Sequence, residues 1–322
     1  MEKKEAEAIL ETRLLSWNMT FRAPRPEVST QLLLNEIKAV EAYSIAFLQE
    51  LPEELKSRIP KGWTLFSNVK KVGILVQDKL DSARIEASEL KLKLQTFLRE
   101  QGPFIKYLAA EQVKLNERDI PAKEIKKTDT LTLILEHILD LRVICLISKI
   151  KEDDQKNVLL VSYHGYNNGI IEDQKYLLNL LLLRYWKYFA VDLGCALIIG
   201  GDFNVPLQQN CSSLNFETLL IDDDFFRNEN LNLYHESRFL KTRVVDYFLT
   251  YGSKVRLSEI TTPCNQCSKD NSKTFYSILP KDHSLLSAGL LVPKLSLKTD
   301  ADDDDEVTAL LRDFKKKMFV KK

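Results

Sequence analysis

Four stretches of this chain share one pattern: an apolar run that ends on a polar side chain. "TRLLSWN" (12 to 18) closes on Asn18, "YSIAFLQE" (43 to 50) on Glu50, "NVLLVSYH" (157 to 164) on His164 and "CALIIGGD" (195 to 202) on Asp202. Short apolar runs of this length read as buried strands. Between the first two lies "STQLLLNEIKAVEAY", whose apolar residues recur at helical spacing and which Ser29 or Thr30 is placed to cap. Between the last two lies "IEDQKYLLNLLLLRYWKYF", with a narrow polar stripe through Glu172, Lys175 and Asn179, the pattern of a helix largely covered by protein. Strand, helix, strand therefore occurs twice, and the expected class is α/β. In open α/β sheets, sites gather outside the carboxyl ends of the strands, which is where the four polar residues would stand.

Two later stretches add to the set. "RVVDYFLTY" (243 to 251) places Asp246 in an apolar strand pattern, where a carboxylate needs a partner. "LPKDHSLLSAGLLV" (279 to 292) sets Asp282 and His283 in a polar loop before an apolar run. An imidazole oriented by a carboxylate can hold or deliver a proton near neutral pH. Within "ALIIGGDFNVP" (196 to 206), side chains two apart on extended chain share a face, so Asp202 and Asn204 are expected to stand together. Gly200 and Gly201 are expected to turn the chain toward them.

Asn18, Glu50, Asp202, Asn204 and Asp282 are hard oxygen donors, the kind that suits Mg²⁺ or Mn²⁺, and no cysteine belongs to the set. Such an ion neutralises phosphate oxygens while a histidine and an aspartate handle charge and water, so phosphoester hydrolysis is the chemistry these residue types point to. The closest cysteine pair, Cys264 and Cys267, lacks the second pair that a structural zinc requires.

The ordered segments "SWN", "FLQE", "SYHGYN", "GGDFN", "VVDYFL" and "KDHS" resemble the motif set of the endonuclease/exonuclease/phosphatase superfamily, the DNase I-like metal-dependent hydrolases, over roughly residues 12 to 293. The resemblance implies a four-layer α/β/β/α sandwich, two sheets flanked by helices. It implies Glu50 as the main metal ligand, with Asn18 and Asp282 completing or orienting the metal site. Asp202 would position or deprotonate the attacking water, and Asn204 would hold that water or the phosphate. His283, oriented by Asp246, would contact the scissile phosphate, with His164 and Asn167 as further phosphate contacts. Two positions depart from the pattern. Thr20 stands where many members carry an acid two residues after the first asparagine, and Val244 stands where an arginine often precedes the aspartate of the fifth motif, leaving Arg243 as the nearest.

The substrate stays open among nucleic acid, the favoured reading, phosphoinositides, sphingolipids or small phosphorylated metabolites, and a catalytically silent binding module of the same fold. Forty-six basic residues balance 46 acidic ones, so global charge selects no polyanionic partner. The charged start of the chain lacks a signal-peptide core and no window reaches the roughly 18 apolar residues of a spanning helix, so an intracellular protein is expected. Residues 1–296 are expected to form the hydrolase-like domain, with a helical insertion at about 80–138 and a charged tail, 297–322, carrying a short helix. His137 and His235 match no motif and read as packing or surface residues. Tyr185, Trp186, Tyr188 and Phe189 fall at helical spacing and read as core, and Trp17 is expected to pack. Tyr163 and Tyr166 either line a substrate groove or pack.

Overall fold

The computed structural model describes residues 12–19, 26–39, 43–69, 71–102, 127–149, 157–166, 172–207, 225–235, 245–252, 255–258, 260 and 285–292. Asn167, Asp282, His283, Thr20, Arg243, Val244, Cys264, Cys267, the tail and residues 103–126 of the expected insertion lie outside them.

The first strand–helix–strand unit is β1 (Thr12–Asn18), α1 (Pro26–Ala39) and β2 (Tyr43–Gln49), followed by the short α2 (Glu53–Ser57) and the hairpin β3 (Trp63–Ser67) and β4 (Gly73–Gln77). The chain then enters the second layer through β5 (Ser82–Ile85), α3 (Ala87–Glu100), α4 (Lys127–Leu141) and β6 (Val143–Lys149). The second strand–helix–strand unit is β7 (Asn157–His164), α5 (Glu172–Asp192) and β8 (Ala196–Asp202). After it come α6 (Phe225–Asn228), β9 (Leu231–Tyr234), β10 (Asp246–Tyr251), β11 (Arg256–Leu257) and β12 (Leu286–Val292). The strands form two sheets, in the orders β11-β12-β1-β2-β4-β3 and β5-β6-β7-β8-β10-β9. The pairs β1–β2 and β7–β8 run parallel, as a strand–helix–strand unit requires.

Period-two alternation divides the apolar residues into three layers. Leu15, Trp17, Ala46 and Leu48 face outward from the first sheet and bury against Leu33, Leu34 and Ile37 of α1 and Leu55 of α2. Leu14, Ile45 and Phe47 face the other way, toward Leu160 of β7, Ile198 of β8 and Phe248 of β10. The outer face of the second sheet, including Val161, Ile199 and Leu249, packs beneath α3, α4 and α5. Helices, sheet, sheet and helices thus make the four layers that the resemblance implies. Tyr185, Trp186 and Phe189 are buried in the outer core, and Trp17 is buried under α1, all as packing residues.

Two local readings are corrected. α1 does not begin at a Ser29 or Thr30 cap: it starts at Pro26, a residue whose fixed φ suits the first helical turn, with Glu27 beside it, and Ser29 and Thr30 are buried inside the helix. Gly200 and Gly201 do not form a turn either, because both lie within β8. Their role is clearance. A Cβ on Gly200 would stand 2.7 Å from Cγ of Phe47 in the opposite sheet, so glycine here lets that ring enter the space between the sheets.

Candidate active site

The layer between the sheets changes character along the strands. It is apolar at Leu14, Ile45, Leu160 and Ile198, then small or polar at Ser16, Gln49, Ser162 and Gly200, and ends at Asn18, His164 and Asp202. Both parallel pairs point their carboxyl ends the same way, so both sheets deliver polar residues to one rim. Asp202 pairs in register with His164 on one side and Asp246 on the other. Because β10 runs antiparallel to β8, its first residue, Asp246, lies at the rim where its parallel neighbours end.

The two sheets are tied at this rim. Asn18 Nδ2 donates to Asp202 Oδ2 at 2.9 Å, across 184 residues of sequence. Asp202 Oδ1 accepts from the backbone N–H of Asn204 at 2.7 Å. Asn204 is left-handed, with φ of 57°, and its Nδ2 donates to the carbonyl oxygen of Gly165 at 2.9 Å. Asp202 and Asn204 therefore do stand together, through a side-chain-to-backbone turn and not through extended chain.

Glu50 is the residue after β2 and also has a left-handed backbone, with φ of 50°. Its Oε1 lies 3.8 Å from Nε2 of His164, and Asp202 Oδ2 lies 3.7 Å from the same nitrogen. One imidazole thus collects a carboxylate from each sheet. The two carboxylates differ in access: the Glu50 side chain is 24% exposed and that of Asp202 1%, so Glu50 faces incoming solutes while Asp202 forms the floor. Non-glycine residues with left-handed backbone cost conformational energy and concentrate at functional sites. Two of the four such residues in the described chain are Glu50 and Asn204.

The donors are oxygen-rich and open to solvent on the Glu50 side. Among the described residues, no three His, Cys, Asp or Glu side chains close into a metal cage. A carboxylate beside an amide suits Mg²⁺, which keeps several waters and uses one or two carboxylates, far better than it suits zinc. Burial pushes the Cys195 thiol up to about 12 and the Cys145 thiol well above its usual range, so both buried cysteines are neutral packing groups.

Three supporting residues escape sequence reading. Arg142, between α4 and β6, donates from Nη1 to the Gly165 carbonyl at 2.8 Å, the oxygen that also accepts from Asn204, and lies 5.2 Å over the Tyr166 ring. Asn179, noted only as part of the polar stripe of α5, accepts from Tyr163 OH at 2.6 Å and donates to the Phe203 carbonyl at 3.1 Å, between Asp202 and Asn204. Gln49 binds across the sheets to Ser162. Tyr163 and Tyr166 are both buried, which settles their role as packing. His235 meets the Tyr247 ring edge to face, with centroids 6.1 Å apart. Nothing in a local sequence window distinguishes Arg142 from any charged residue that ends a helix.

Asn179→Leu is expected to destabilise the fold by about 2 to 3 kcal/mol, because it strands the buried Tyr163 hydroxyl and the Phe203 carbonyl in apolar surroundings. Burial pushes the Tyr163 phenol well above its usual range, so it can act only as a neutral donor there. A lower urea midpoint at unchanged slope is the expected measurement.

No family model and no curated protein matches the sequence. Solved structures do resemble it. TDP2 from Caenorhabditis elegans superposes with a TM-score of 0.51 at 12% identity, covering 88% of this chain and 74% of its own. An endonuclease/exonuclease/phosphatase from Bacteroides vulgatus covers 88% of this chain and 99% of its own at 14% identity, with a TM-score of 0.49. The human Nocturnin catalytic domain, solved with bound sulfate, covers 90% and 95% at 15% identity, with a TM-score of 0.48. The likeness is one of architecture: with two mixed sheets flanked by helices, this chain has the DNase I-like endonuclease/exonuclease/phosphatase fold.

Proposed function

We propose that this protein is a divalent-metal-dependent phosphoester hydrolase of the endonuclease/exonuclease/phosphatase superfamily, acting on the phosphodiester backbone of nucleic acid. The observation that carries the proposal is the meeting, at one rim of two sheets, of Asn18, Glu50, His164, Asp202, Asn204 and Asp246. Glu50 and Asn18, with Asp282, hold Mg²⁺ or Mn²⁺, which when bound supplies positive charge against the phosphate oxygens. Asp202, fixed on both oxygens by Asn18 and Asn204, orients a water and takes its proton as the water oxygen bonds to phosphorus and the ester P–O bond breaks, the leaving oxygen keeping the electron pair and taking a proton from solvent. His164, Asn167 and Asn204 bind the phosphate, and His283, steadied by Asp246, donates to the charge that develops on it.

A nucleic-acid substrate is favoured by the rim beside Glu50. The Leu51 N–H donates to the Lys71 carbonyl at 2.9 Å, which places the β3–β4 turn next to the site. Asn68 in that turn donates from Nδ2 to the Val143 carbonyl of the second sheet at 3.3 Å and accepts from the Val72 N–H at 3.2 Å. The tip is thus pinned to both sheets, and it presents Val69 at 82% exposure close to Lys71, whose Nζ lies 3.8 Å from Glu53 Oε1. A fixed, exposed apolar tip beside the site suits a substrate that extends past the scissile bond, as a nucleic-acid strand does.

Purified protein incubated with labelled single-stranded DNA, duplex DNA, RNA, a phosphoinositide panel and bis(4-nitrophenyl) phosphate tests the proposal. Cleavage of nucleic acid is expected with Mg²⁺, stopping with EDTA and returning when Mg²⁺ is restored, and Asp202→Ala and His283→Ala should both be inactive. Turnover of lipids alone would overturn the substrate while leaving the site standing. Metal uptake without any turnover would favour a silent binding module.

A further inference from the structure

We propose that Gln49 is a positioning residue: with Ser162 it forms a buried polar rung beneath the site that fixes the Glu50 carboxylate of one sheet against Asp202 and His164 of the other. The inference rests on the metal-site reading above. Gln49 Nε2 donates to Ser162 Oγ at 3.1 Å, and Ser162 Oγ donates in turn to the carbonyl of Leu48 at 3.3 Å. Both Gln49 and Ser162 are 0% exposed. The hydroxyl is therefore clamped at two points to the last residues of β2, immediately before Glu50. Ser162 itself lies two residues before His164 and pairs in register with Gly200, two residues before Asp202.

Most of the other contact between the sheets is apolar, through Leu14, Ile45, Phe47, Leu160, Ile198 and Phe248. Apolar contact is non-directional and sets no register between sheets by itself. Asn18 to Asp202 forms an upper rung from β1 to β8, and Gln49 to Ser162 a lower one from β2 to β7. Two directional rungs on different strand pairs fix both the spacing and the rotation of the sheets at the rim, which a single one cannot do. Metal ligands depend on such supporting contacts for their orientation.

The rung is poorly suited to a purely stabilising role. Gln49 Oε1 is buried and finds no partner among the described residues. An amide that leaves one polar atom unsatisfied contributes little net stability, and a similar-sized apolar side chain should replace it at small cost. Position and stability can therefore be separated by experiment.

Gln49→Met, Ser162→Ala and the double variant are compared with the wild type, using Mg²⁺ alone in titration calorimetry, thermal unfolding without metal, and kcat and KM on the panel substrate that the wild type cleaves. Gln49→Met is expected to keep Tm within about 2 °C. Its Mg²⁺ affinity should fall about tenfold, with a similar fall in kcat and an unchanged KM. Ser162→Ala should reproduce these losses, and the double variant should lose no more than either single one, because both remove the same rung. Unchanged Mg²⁺ affinity in Gln49→Met, or losses that multiply in the double variant, overturns the proposal. If Gln49→Met does not fold, Ser162→Ala decides by the same affinity measurement. A wild type that takes up no Mg²⁺ instead sinks the metal reading itself, an outcome distinct from equal uptake by wild type and variant.

Discussion

Asp202→Asn is expected to lower kcat by about 10³-fold, even though it changes one atom and preserves shape. The carboxylate accepts on both oxygens, from Asn18 Nδ2 at Oδ2 and from the Asn204 backbone N–H at Oδ1. An asparagine offers one oxygen and one NH₂, so whichever way the amide is turned, a donor faces a donor. Keeping the Asn18 bond releases the Asn204 turn, and keeping the turn breaks the tie between the sheets. The variant also loses the negative charge beside His164 Nε2, 3.7 Å away. The chemical loss is therefore joined by a structural one of about 1 to 3 kcal/mol, the cost of a buried group left without its bond. Single-turnover rates and a urea unfolding curve separate the two, and a kcat within about tenfold of wild type would remove Asp202 from the proposed role of water activator.

Much of this rim was legible because burial and chemistry leave opposite marks on sequence. β1, β2, β7 and β8 are mostly apolar, with Ser16, Gln49 and Ser162 buried near their carboxyl ends, and Asn18, Glu50, His164 and Asp202 mark in the sequence where the layer between the sheets reaches the rim. Asp246 stood out for the same reason, a carboxylate in an apolar run that turns out to be the first residue of β10. What stayed hidden depends on partners far away in the chain. The Gln49 bond to Ser162 spans 113 residues, and Arg142 matters only because Gly165 and Asn204 come to it through other elements. The start of α1 was misread because Ser29 and Thr30 are good caps locally, while the tertiary fold buries both inside the helix. The glycines before Asp202 were misread for a related reason: glycine serves turns and close approach equally well, and only the neighbouring chain distinguishes them.

That distinction gives the second large effect. Gly201→Ala is expected to destabilise the protein by more than about 4 kcal/mol, enough to leave a marginally stable fold largely unfolded or insoluble. A Cβ at Gly201 would lie 1.9 Å from the carbonyl oxygen of Tyr163 and 2.9 Å from its carbonyl carbon. Both belong to backbone, so no rotamer change relieves the clash. Tyr163 and Gly201 are register partners in the parallel β7–β8 pair, and moving either strand displaces His164 and Asp202, the next pair in the ladder. The tight approach is also held from the outer face, where the Tyr163 ring meets Phe203 edge to face at 4.9 Å and its hydroxyl reaches Asn179. Gly102→Ala is the matching control: among the described residues no atom beyond its chain neighbours lies within 4 Å of its added Cβ, and the substitution should leave the unfolding midpoint essentially unchanged. Comparable soluble yield and midpoint for the Gly201 and Gly102 variants would mean that the β7–β8 ladder yields at its carboxyl end. In that case the rim could not be held by the strand pair, and the cross-sheet contacts of Asn18, Gln49 and Asn68 would have to carry its geometry.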